Sequence, residues 1–122
     1  MPPLPRVLVL EDEPLIAIMV CDWLTELGCE PAGPARSVAT AIELIGGVRL
    51  DGAILDVSLG SQDCSPVAEL LQKEGVPFAF ATGHSADGVA ATYGNVLTLV
   101  KPYDFEAMRE VVTKMLNGHA SA

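Results

Sequence analysis

The chain has 122 residues, half of them hydrophobic and 19% charged, a balance that suits one globular domain with its own core and excludes a disordered chain. Sixteen acidic against seven basic residues give a formal net charge of −9, which opposes nonspecific attraction to nucleic acid or to an anionic membrane. No apolar run reaches the length of a membrane span, and segment 1–5 holds three prolines and no basic cluster, unlike a secretory leader; a cytoplasmic location is expected. Cys21, Cys29 and Cys64 are odd in number and lack C-x-x-C or zinc-type spacing, so they are expected as small buried apolar side chains and not as disulfides.

Short aliphatic runs alternate with segments of helical period, the pattern of βα units around a parallel sheet, and five such units are expected. The first strand is Arg6–Leu10. After it Ile16, Val20, Trp23, Leu24 and Leu27 recur at three- and four-residue steps to give a helix its buried stripe. Pro14 suits its first turn, and Gly28 its left-handed end. A second strand at 29–32 is weakly marked, and Pro31 and Pro34 place it at a sheet edge because proline donates nothing to a ladder. Ser37 is expected to cap a second helix with Val38, Ile42 and Ile45 on its apolar face.

Segment 50–57 contains the third strand, whose continuous apolar character through Ala53, Ile54 and Leu55 fits a central strand covered on both faces. A third helix is expected at 66–74, the fourth strand at 77–81 and the fifth at 96–100. Between them, 83–95 is an alanine-rich stretch broken by Gly88, Val89, Thr92 and Gly94, which lower helix propensity; a short, mobile fourth helix is expected there. The last helix starts with Asp104 as N-cap and buries Phe105, Met108, Val112 and Met115. Residues 1–5 and 118–122 read as tails of a single domain.

The polar residues of interest fall at the carboxyl ends of strands, where open α/β sheets bind ligands. Glu11 and Asp12 follow the first strand, Asp56 closes the third, Thr82 follows the fourth, and Lys101 with Pro102 follows the fifth. If the first and third strands are neighbours, three carboxylates, a hydroxyl and an ammonium share one crevice. Clustered carboxylates repel unless a cation neutralises them, and an all-oxygen set matches Mg²⁺. The same cation can bridge an aspartate and an incoming phosphoryl group, which makes Asp56 a carboxylate nucleophile and its product an aspartyl phosphate. Glu13 is expected to be merely solvated or capping, and His84 and His119 incidental.

These landmarks, R-V-L-V-L-E-D-E-P, A-I-L-D-V-S-L, F-A-T-G and L-V-K-P-Y in that order, resemble the response-regulator receiver family over essentially the whole chain. The resemblance implies a flavodoxin-like (βα)5 fold, a parallel five-stranded sheet of order 2-1-3-4-5 with helices on both faces. It implies that Glu11 and Asp12 are the metal-site acids, Asp56 the phosphoacceptor, Ser58 the residue whose backbone carbonyl completes the Mg²⁺ shell, Thr82 the switch hydroxyl and Lys101 the phosphoryl-pairing lysine, with a cis Lys101-Pro102 bond. Expected partners are a sensor histidine kinase or a phosphotransfer protein and a downstream protein, not nucleic acid or membrane. The chain would catalyse only its own phosphorylation and dephosphorylation. A binding-only degenerate receiver and a small Mg²⁺-dependent phosphatase are the alternatives, and D-V-S lacks the second aspartate that haloacid-dehalogenase-type phosphatases use as general acid.

Two departures stand out. Thr98 occupies the position, three before Lys101, where the family commonly carries an aromatic side chain. The P-F-A-F-A-T-G-H run is similar to that of an alphaproteobacterial single-domain subgroup associated with HWE or related histidine kinases, but His84 and Ser85 differ from its last two motif positions.

Overall fold

The computed structural model describes residues 3–57, 63–82 and 97–120, with side chains through 117. Five parallel strands, β1 (Arg6–Leu10), β2 (Glu30–Ala35), β3 (Gly52–Asp56), β4 (Phe78–Thr82) and β5 (Leu97–Val100), form one sheet in the order β2-β1-β3-β4-β5. Four helices are described: α1 (Pro14–Glu26), α2 (Val38–Gly47), α3 (Ser65–Glu74) and α4 (Phe105–Ala120). This is the flavodoxin-like arrangement. The helix expected within 83–95 lies outside the described residues, as do Ser58 and His84.

Alternation along the strands divides the core in two. Leu8, Leu10, Ala53, Leu55, Phe78 and Phe80 face α2 and α3, where Ala41, Ile45, Val67, Ala68 and Leu71 meet them. The intervening Val7, Val9, Ile54, Ala79, Ala81 and Leu99 face α1 and α4, against Val20, Leu24, Met108, Val112 and Met115. Every residue of β3 and of β4 is buried, because both faces of each strand are covered. Burial of a large side chain such as Phe80 contributes roughly 2–3 kcal/mol. Phe78 stacks edge-on against it at 5.4 Å.

The capping expectations hold. Ser37 Oγ accepts from the Thr40 N–H at 3.2 Å, and Asp104 Oδ1 accepts from the Ala107 N–H at 2.9 Å. Gly28, just past the end of α1, has φ +82°. The Lys101-Pro102 peptide is cis. Cys29 and Cys64 are buried, Cys21 is half-buried, and all three are free thiols.

Four expectations need correction. β2 runs to Ala35, three residues past the expected end: a register shift between Leu8 and Leu10 absorbs the extra residue, so Leu8 pairs with Ala32 and Leu10 with Ala35. Gly33 makes the detour with φ +101°, where a Cβ would lie 2.5 Å from the Ala35 nitrogen. In α2, Ala41 is buried and Ile42 exposed, since the helix turns its smaller side chain to the sheet. Thr82 is the last residue of β4 itself and not of the loop beyond. Trp23 and Phe105, expected in the core, are only half-buried, as is Met19.

Candidate functional site

β1 and β3 are adjacent and in register, Leu10 opposite Leu55, so the residues that follow or close them converge. Glu11 and Asp56 are 3% and 2% exposed, Asp12 is half-buried, and one oxygen from each of the three lies within 4.8 Å of the others. Backbone bonds fix this rim. The Glu11 N–H donates to the Ala35 carbonyl at 2.9 Å and the Val57 N–H to the Ala81 carbonyl at 2.9 Å, so the extension of β2 past its bulge is what anchors Glu11.

Lys101 enters from the other side. Its backbone N–H donates to the Thr82 carbonyl at 2.7 Å, tying the exit of β5 to the end of β4. Its Nζ donates to Asp56 Oδ1 at 3.0 Å and stands 3.7 Å from Glu11 Oε1. Thr82 is buried at the end of β4, one residue beyond Ala81, the register partner of Asp56. The structure therefore gathers Glu11, Asp12, Asp56 and Lys101 into direct reach and sets Thr82 at the same end of the sheet.

Electrostatics set the character of the pocket. Two ionised carboxylates at such separations repel by roughly 3–4 kcal/mol at an effective dielectric of about 20, and one ammonium stands against two of the three acids, Glu11 and Asp56. Burial, followed by the hydrogen bond and charge of Asp56, pushes Glu11 up from 4.5 to about 7, while the Glu13 N–H and Lys101 act in the opposite direction. Burial draws the Lys101 ammonium down, but the hydrogen bond and charge of Asp56, with Glu11 and Glu13 behind it, more than offset this and raise its pKa. Tyr103 is raised by burial and by the charges of Glu11 and Asp56. A buried all-oxygen donor set with excess negative charge fits a hard divalent cation such as Mg²⁺.

Two neighbours of the pocket are not expected from the sequence to belong to it: Glu13 is expected to be solvated or capping, and Tyr103 to lie either in the core or on a partner-facing surface. The Glu13 N–H donates to Glu11 Oε2 at 3.1 Å, a backbone contact with no residue-type signature. Tyr103 is half-buried and packs edge-on to Trp23, ring centroids 6.3 Å apart, and Trp23 meets Phe105 at 6.0 Å in the same manner. Ile16, Met19, Lys101, Pro102 and Tyr103 line a cavity of about 470 Å³ beside them. On the outer side of α1, Leu15 and Ile18 are 79% and 57% exposed.

A scan against family models and a search of curated proteins found no match. Among solved structures, the chain is similar to SdrG from Sphingomonas melonis Fr1, with 39% identity over 98% of this chain and 99% of that one and a TM-score of 0.78. The BeF₃-activated conformation of SdrG from Pseudomonas melonis Fr1 matches at 38% identity over 95% and 99%, TM-score 0.79. The receiver domain of the response regulator PhyR from Erythrobacter litoralis matches at 26% over 93% and 90%, TM-score 0.81. With this identity over nearly the full length, the same sheet order and an acidic cluster at the carboxyl end of the sheet, the chain belongs to the response-regulator receiver family of two-component signalling.

Proposed function

We propose that Asp56 accepts a phosphoryl group from a phosphohistidine, on a sensor histidine kinase of HWE or related type or on a phosphotransfer protein, and that the resulting charge is read by a downstream protein. Receiver domains bind Mg²⁺ in an acidic pocket and interact with kinases or phosphotransfer proteins. The observation that carries the reading is the pocket itself, a buried Asp56 carboxylate within 4.8 Å of two further acids and 3.0 Å from an ammonium.

Glu11, Asp12, Asp56 and the backbone carbonyl of Ser58 would hold the cation. When bound, Mg²⁺ supplies neutralisation of the clustered acids and of the equatorial phosphoryl oxygens. An Asp56 carboxylate oxygen attacks phosphorus in line with the departing imidazole nitrogen: the O–P bond forms, the N–P bond breaks, and the electron pair leaves with the imidazole, which takes up a proton. Lys101, already held against Asp56, turns to the transferred oxygens and stabilises their charge. The Thr82 hydroxyl donates to the same group. Because the backbone N–H of Lys101 is bonded to the Thr82 carbonyl, both respond together to the new charge. Leu15 and Ile18 offer the donor protein an apolar contact next to the pocket.

The chain acts on itself alone, forming and hydrolysing its own aspartyl phosphate, and is not an enzyme with turnover on other substrates. Incubation with acetyl phosphate and Mg²⁺ followed by intact mass spectrometry is expected to add one phosphoryl group to the wild type and none to Asp56→Asn. An unmodified wild type would sink the proposal in favour of a binding-only module, and steady hydrolysis of a generic phosphomonoester would favour a phosphatase.

A further inference from the structure

Glu13 sits at the N-cap of α1, yet its side chain caps nothing and is exposed. Its backbone is held on both sides. The carbonyl accepts from the Ala17 N–H at 2.9 Å, opening the first turn of α1, and the N–H donates to Glu11 Oε2 at 3.1 Å. Glu11 is buried, so each of its oxygens needs a partner. Oε2 accepts this backbone bond, Oε1 stands 3.7 Å from Lys101, and Asp56 also reaches the Glu11 carboxyl.

The geometry has a cause in the sequence. A residue before proline is confined to the extended region because the proline Cδ clashes with its helical conformation, and Glu13 precedes Pro14. Glu13 has φ −87° and ψ 114°. The N–H of Glu13 belongs to the Asp12–Glu13 peptide and points back onto Glu11 two residues upstream, while the extended step at Glu13 leads into the helix. Within the E-D-E-P run a peptide group thus meets an acid of the pocket immediately before the proline that opens α1.

We propose that the peptide N–H of Glu13, and not its carboxylate, is the positioning group for Glu11, and that by fixing which Glu11 oxygen faces the pocket it sets the affinity of the site for a divalent cation. This rests on the reading of the pocket as a cation site. Groups that orient a ligand carboxylate typically affect metal affinity by 10–100-fold when lost.

The test pairs two substitutions. Glu13→Pro removes the N–H and asks for a φ about 20° from the observed −87°; Glu13→Gln keeps the N–H and removes the charge. In calorimetric Mg²⁺ titrations of the whole chain, Glu13→Pro is expected to bind about 10-fold more weakly than wild type, and Glu13→Gln to stay within about threefold because an exposed charge is screened. Equal affinity for wild type and Glu13→Pro would overturn the proposal, and so would a Glu13→Gln loss as large as that of Glu13→Pro. Should Glu13→Pro fail to fold, amide exchange on the metal-free protein gives the answer. The Glu13 amide is expected to exchange several-fold faster in Glu11→Ala than in wild type, and an unchanged rate would overturn the proposal. Failure here leaves acetyl phosphate labelling of the wild type intact, whereas failure of the phosphoryl-acceptor reading would leave these Mg²⁺ affinities in place without an adduct on Asp56.

Discussion

The two ends of the sheet handle charge in opposite ways. At the amino end each acid has its own arginine: Arg6 Nε meets Glu30 Oε2 at 2.8 Å, and Arg49 pairs with Asp51. Asp51 Oδ2 also accepts from the Arg6 N–H at 2.8 Å, while the Asp51 N–H donates to the Arg6 carbonyl at 2.7 Å. These side chains are between 29% and 50% exposed, so water shares their charge. At the carboxyl end two buried acids, Glu11 and Asp56, share Lys101, with the half-buried Asp12 beside them. The first arrangement fastens β1, β2 and β3 at their starts. The second holds repulsion that a cation or a phosphoryl group can relieve, and the difference teaches that the stable end of this sheet and its responsive end are separate.

That contrast can be broken from either side. Asp51→Ala, at the fastened end, leaves the part-buried Arg6 N–H without its acceptor and is expected to lower unfolding free energy by about 1–3 kcal/mol, read by urea denaturation. Mg²⁺ affinity should not move; a weakened cation site would mean that the ends are coupled through the strands.

A smaller effect is expected at the responsive end, from pH. Because the folded state holds the Glu11 proton more tightly than the unfolded chain does, its contribution is fully present below about pH 4.5 and is lost as pH rises through about 7. The metal-free protein should lose on the order of 1–2 kcal/mol of stability between pH 5 and pH 8 from this group. Glu11→Gln should flatten the slope in thermal melts at the two pH values, and a slope unchanged by that substitution would place its origin elsewhere. Mg²⁺, which competes with the proton, should bind more tightly as pH rises through 7. The smallest effect is expected for Glu30→Ala, which removes an exposed ion pair and should cost under about 1 kcal/mol, with the loss disappearing at high salt.

Much of this was legible in the residues. The carboxyl-end acids stand out because they follow apolar runs too continuous to be anything but central strands, and the alternation of strands with helical segments, which makes the sheet parallel, puts those ends together. Ser37, Gly28 and Asp104 announced their caps through side-chain or backbone chemistry local to the position. What the sequence hid was non-local or backbone-borne. β2 was underread because the detour at Gly33 and Pro34 looks like an ending, while its pairing with β1 resumes at Ala35. The phase of α2 was misjudged at Ile42, since size and hydrophobicity cannot reveal that the sheet accepts only Ala41 there. Tyr103 could have belonged to core or surface, and its place against Trp23 depends on how α1 packs. The Glu13 N–H is invisible in principle, as every residue but proline carries one.

Trp23 is the chain's single tryptophan, and its indole lies edge-on to Tyr103, two residues from the lysine that grips Asp56. The protein therefore carries a built-in optical gauge: movement of Lys101 that drags the following loop must alter the surroundings of this one indole. Its emission should shift without any attached dye, while a disturbance confined to the α2 and α3 layer, across the sheet, should leave it dark to the change.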